Sequence, residues 1–174
     1  MIMSPIFTTI LIILIVLAIL DLIVGVSNDA VNFLNSALGT KIAPVKTILL
    51  VASLGILLGV VTSNGMMEVA RNGVFHPGMF SFSEIMFLFV GMMMADVILL
   101  NTFNSLGLPT STTVSLVFEL LGAATAVALY KVSNDSNVFL SDMGKYINSG
   151  KALVIISGIL ISVVLSFVSG SLFM

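Results

Sequence analysis

Five long apolar runs divide the chain: Ile6 to Val26, Val45 to Val61, Ile85 to Leu100, Val114 to Tyr130 and Ala152 to Phe173. A helix needs about 20 apolar residues to cross a bilayer, and each run reaches or approaches that length. The pattern therefore predicts an all-α, polytopic transmembrane helical bundle. Polar connections separate the runs. Lys41 to Lys46 is a short turn with Pro44. Asn64 to Glu84 is a longer polar loop carrying Arg71, His76 and Pro77, and Lys131 to Lys151 is another, carrying Asp135, Asp142 and Lys145. None reads as a linker between soluble domains, so residues 1–174 form a single transmembrane unit. The first run is read as a span rather than a cleaved signal peptide. No Lys or Arg precedes it, and no small-residue cleavage pattern follows an apolar core of about 7–15 residues.

Composition agrees. Of 174 residues, 59% are hydrophobic and 8% charged, and the mean hydropathy is +1.25. Six Lys/Arg and eight Asp/Glu cannot cover the surface of a soluble domain of this size, whereas lipid requires no such cover. A formal net charge of −2 offers no basic patch, so nucleic acid is not an expected partner. With no cysteine, disulfides and thiolate metal sites are excluded. His76 is the only histidine and reads as a solvated loop residue, so no metal site beyond Na⁺ is expected. Hydrolase, P-loop and zinc-protease motifs are missing, and the chain is not expected to be an enzyme.

Two stretches break the apolar pattern at membrane depth, where irregular backbone is tolerated only if it is buried in protein or lines a cavity. The first runs from Gly25 through Ser27, Asn28, Asp29 and Asn32, and suggests a broken first helix. On a helix Asn28 and Asn32 share a face, with Asp29 about 100° round. These oxygen atoms suit a hard cation such as Na⁺, and Asp29 is also able to carry a proton. The competing reading is a capping turn, since Ser27, Asn28 and Asp29 are all good helix caps. The second break is Leu106-Gly107-Leu108-Pro109-Thr110-Ser111-Thr112-Thr113, the tip of a helical hairpin. Proline suits a helix start, and the hydroxyls and free N–H groups after it make an anion cradle. An ordinary Ser/Thr-capped surface turn is the alternative. The apolar spans contain no Lys or Arg at these breaks. An anion held there would require dipoles, hydroxyls and co-bound cations.

Asp96 and Glu119 are isolated carboxylates within apolar runs, either functional acids or structural hydrogen-bond partners. Asp21 lies near the end of the first run. Gly158, Ser162, Ser166 and Gly170 give the last run one face of small residues, suited to packing within the bundle or to a homodimer contact.

These residues resemble a known family. Asn28-Asp29-Ala30-Val31-Asn32 is similar to the N-D-V-A-N core of the inorganic phosphate transporter (PiT) family. Asn35 to Lys41 continues in register with its G-T-S-V-G-S-K, Glu68 to Val74 resembles its E-T-I-R-K-G-I, and Gly107 to Thr113 resembles its G-L-P-V-S-T-T. The resemblance covers about residues 20 to 130. It departs from the family pattern at Val26-Ser27, at Ala52-Ser53 and at Val114. It implies symport of inorganic phosphate coupled to Na⁺ or H⁺, with no other cofactor. Members carry two inverted repeats around one midplane site, and this chain resembles the N-terminal one. A second repeat or another copy of the chain is then the expected partner. By the same resemblance Asn28, Asp29 and Asn32 would hold the coupling cation. Asp29, Thr110, Ser111, Thr112 and Thr113 would hold phosphate. The expected location is the plasma (cell inner) membrane. The alternatives are a transporter of a related oxyanion such as sulfate or arsenate, or a non-transporting membrane assembly subunit.

Overall fold

The computed structural model describes residues 5–63, 73–134 and 142–173. Among the described residues five helices are long and apolar enough to cross a membrane. They are α1 (Pro5–Gly39), α2 (Val45–Thr62), α3 (Phe82–Leu106), α4 (Thr112–Asn134) and α6 (Ser149–Phe173); a short α5 (Met143–Tyr146) precedes the last. Among the described residues there is no strand, only one isolated bridge between Phe75 and Ile147. The all-helical membrane bundle follows as expected from five apolar runs.

The first helix is not broken. At 35 residues and 1.5 Å per residue α1 is about 52 Å long, well beyond the hydrocarbon thickness of a bilayer. No proline interrupts it after Pro5. The polar side chains that suggested a break are satisfied without unwinding the backbone. Ser27 donates its hydroxyl to Ile23 O at 2.7 Å, and Asn32 donates to Asn28 Oδ1 one turn away at 3.0 Å. The capping-turn reading fails for the same reason, because Ser27 to Asp29 lie in mid-helix.

α1 and α3 run parallel. Contacts between them advance together along both helices: the Phe7 ring lies 6.0 Å from Phe82, Gly25 meets Leu100, and Asn28 bonds Asn104. α3 starts at a capping box in which Ser81 and Glu84 bond each other's backbone N–H. It stops at Gly107, whose φ of +66° is left-handed and favours a residue without a Cβ. The chain then reverses into α4. The hairpin tip thus lies beside the Asn28–Asn32 segment of α1. Seven residues, about 10 Å, of α1 continue past Asn32 to Gly39.

The core lies between α3 and α4, where Leu88, Val117, Leu120, Ala124 and Ala128 are 1% exposed or less. Both connections read as polar loops also enter it. Val74, Phe75 and Phe80 from one and Tyr146 from the other are buried against the hairpin. His76 N donates to Tyr146 O (2.8 Å) and Asn148 N donates to Val74 O (2.9 Å), stitching the connections together. His76 itself is exposed, as its sequence context suggested. The Arg71, Asp135 and Glu68–Asn72 positions lie outside the described residues. Elsewhere large apolar side chains face outward, Leu57 at 63% and Phe167 at 78% exposed among them, as a lipid-covered surface allows. The small-residue face of α6 is open: a Cβ added at Gly158 or Gly170 would meet nothing within 4 Å, and Ser162 and Ser166 bond back to their own helix. The intrabundle packing anticipated for that face is not seen among the described residues.

Candidate functional site

Because α1 is an unbroken helix, Asp29 points about 100° away from Asn28 and about 60° away from Asn32, so the carboxylate and the amides face different neighbours. The hairpin tip touches both. Thr112, the first residue of α4, donates its hydroxyl to Asp29 Oδ1 at 3.2 Å. Thr110 presents its carbonyl to Asn32 Nδ2 at 2.7 Å.

Two cavities open on Asp29. One, about 290 Å³, lies between α1, α3 and α4; Asp21, Asp29, Asp96, Thr112 and Thr113 bring polar groups to its wall. The other, about 360 Å³, lies between α1 and α2 and is lined mainly by apolar groups, with Phe33, Ala52 and Gly55 around the carboxylate. The head of α4 carries the partial positive charge of a helix N-terminus, and its first backbone N–H groups have no partner within the helix. Ser111 occupies the capping position, accepting from Val114 N at 3.4 Å, so its hydroxyl serves the helix end.

A layer of acids borders the three-helix cavity. Ser115 Oγ lies 3.1 Å from Asp96 Oδ1 and 2.7 Å from Glu119 Oε1. One hydroxyl hydrogen can serve only one of these acceptors at a time. Asp96 is 5% exposed and interacts in turn with Asp21. Glu119 Oε2 is buried with no hydrogen-bond partner among the described residues, a costly arrangement in a low-dielectric interior.

The cavity joins a carboxylate, whose chemistry suits a cation, to a hydroxyl-bearing helix N-terminus, whose chemistry suits an anion. The family model described as the phosphate transporter family matches residues 25–174. The chain belongs to the phosphate transporter family. No curated protein and no solved structure matches it. Membership points to phosphate transport by a multi-pass membrane protein, and away from an enzyme.

In this member of the phosphate transporter family, the structure brings Asp29, Thr112 and Thr113 to one cavity and joins Asn28, Asn32 and Thr110 in a separate hydrogen-bonded group. Asp96 borders that cavity, and Ser115 lies within hydrogen-bond distance of both Asp96 and Glu119 behind it. Sequence reasoning missed three participants: Asn104, Ser115 and the pairing of Asp21 with Asp96. Signals for them existed. Asp21 lies two helical turns before Asp29, and Asn101, Thr102, Asn104 and Ser105 form a polar run just before the hairpin tip.

Replacing Thr112 by Val removes the hydroxyl at nearly constant volume. Phosphate uptake is expected to fall by about tenfold, the cost of one hydrogen bond at a desolvated site, while Thr112→Ser stays near wild type. Uptake kinetics of the two variants in proteoliposomes check this.

Proposed function

We propose that the chain supplies half of a midplane site for symport of inorganic phosphate with a cation, Na⁺ or H⁺. One observation carries the reading: Asp29 carboxylate sits 3.2 Å from the hydroxyl of Thr112, at the helix N-terminus best suited to phosphate. A carboxylate and a phosphate anion repel strongly in a low-dielectric cavity, and no Lys or Arg lines either cavity beside Asp29. A cation between them, or a proton on one of them, resolves the conflict, so phosphate binding and cation binding become obligatorily linked. Asp29 is then the shared ligand, and Thr112 and Thr113 orient the anion. A second unit, an inverted repeat or another copy, would complete the site from its open side.

The test is uptake of labelled phosphate into proteoliposomes under an imposed Na⁺ gradient and, separately, a proton gradient. Accumulation driven by either gradient supports symport and names the ion. Uptake that is indifferent to both gradients refutes coupling. Transport of sulfate or arsenate in place of phosphate refutes the substrate.

A further inference from the structure

The chemistry of an amide depends on which end is free. A carbonyl oxygen can ligate a cation, whereas an NH₂ group cannot. Asn28 is 2% exposed, and both ends of its amide are engaged. Its Nδ2 donates to Asn104 Oδ1 at 2.9 Å, and its Oδ1 accepts from Asn32 Nδ2 at 3.0 Å. The chain of bonds extends in both directions. Asn104 Nδ2 donates to Val24 O at 3.3 Å, a carbonyl one turn earlier in α1, and Asn32 Nδ2 also donates to Thr110 O at 2.7 Å. Three amides thus run from the backbone of α1, through the end of α3, to the carbonyl of the hairpin tip. Neither Asn28 nor Asn104 lines either cavity on which Asp29 opens.

We propose that Asn104 and Asn28 are positioning residues: they seat the hairpin tip on α1, and Asn28 acts through the tip rather than as a ligand of the coupling cation. This assignment rests on the transport reading above. The tip carries Thr112 and Thr113 and is fixed to α1 at two places: the amide chain ending on Thr110, and the Thr112–Asp29 bond that phosphate and cation would themselves rearrange. The amide chain is therefore the hold on the tip that survives ligand binding. Buried amides with matched donors and acceptors are well suited to this, since each one left unpaired is penalised.

The experiment compares wild-type protein with Asn104→Ala, Asn28→Ala and the double variant in reconstituted uptake. Each single substitution is expected to raise the phosphate concentration for half-maximal uptake by roughly tenfold. The cation concentration for half-activation, measured at saturating phosphate, should stay within about twofold of wild type. The double variant should be no worse than the worse single, because both act through one connection. A tenfold shift in the cation constant from Asn28→Ala but not from Asn104→Ala, or penalties that multiply, overturns the proposal. Amide hydrogen exchange supplies a readout independent of transport: peptides spanning residues 106–113 should exchange faster in both variants, with those spanning 84–96 unchanged. Unaltered exchange at the tip also overturns the proposal. Wild-type protein that takes up no phosphate under any gradient overturns the transport reading and leaves exchange to decide the positioning role. Asn104 is only partly buried, so its variant keeps the test open if Asn28→Ala misfolds.

Discussion

Asp29→Asn is expected to lower coupled phosphate uptake by about two orders of magnitude while leaving the protein folded. The substitution is isosteric, and the amide oxygen can still accept from Thr112, so the 3.2 Å contact that holds α4 to α1 persists. What disappears is the charge. Without it nothing in the cavity wall beside Thr112 compensates a cation placed against phosphate, except the more distant Asp21 and Asp96. Truncating one member of a desolvated charge pair typically costs 2–5 kcal/mol, and each 1.4 kcal/mol is tenfold. Initial-rate uptake with wild type and variant at matched protein content measures the loss. An Asp29→Asn protein that transports at the wild-type rate would remove the carboxylate from the mechanism. A protein that fails to fold would instead assign Asp29 a structural role.

Lys131→Met is expected to produce the largest loss of stability, about 2–3 kcal/mol, with a smaller effect on transport. Lys131 closes the end of the hairpin opposite the tip. Its Nζ bonds Glu84 at 3.1 Å and Met79 O at 2.9 Å, and lies 5.7 Å and 5.5 Å from the ring centres of Phe80 and Tyr146. A lone exposed ion pair is worth little. Here both side chains are 27% exposed, and the same ammonium also bonds a backbone carbonyl and faces two rings. Charge-assisted bonds contribute about 1.5–3 kcal/mol and a partly desolvated cation–π contact about 1 kcal/mol, and they share one cation, so the sum is less than additive. Methionine keeps the length and loses every polar contact. Apparent melting temperature in detergent should fall by several degrees, with Lys131→Arg between the two. An unchanged melting temperature would show that the loops hold without this residue.

Lys131 also illustrates what the sequence conceals. It was legible only as one charge in a polar connection. That it reaches back 47 positions to Glu84, beneath Phe80 and Tyr146, follows from two connections folding over the same helix ends. Val74 and Phe75 looked like residues of a polar loop, because a short apolar pair amid polar neighbours carries no periodic signal. Burial came from the partner segment, not from the local pattern.

The membrane class, the five spans, the hairpin turn at Gly107 and the presence of polar groups at membrane depth were all determined by the sequence. Each depends on local quantities: the length of an apolar run, the φ a glycine permits, the cost of an unpaired polar group in lipid. Membership in the phosphate transporter family was legible too, in the Asn28–Asn32 and Gly107–Thr113 stretches. The tertiary structure alone decided whether the first helix breaks and which polar residues share a cavity. Polar residues in a span announce only that partners are required. Whether the backbone unwinds to meet them, or a second helix brings Asn104 and Thr112 alongside, depends on packing between residues some 80 positions apart. Here the partners come from α3 and α4, so α1 stays helical, and its 100° advance per residue separates Asp29 from Asn28.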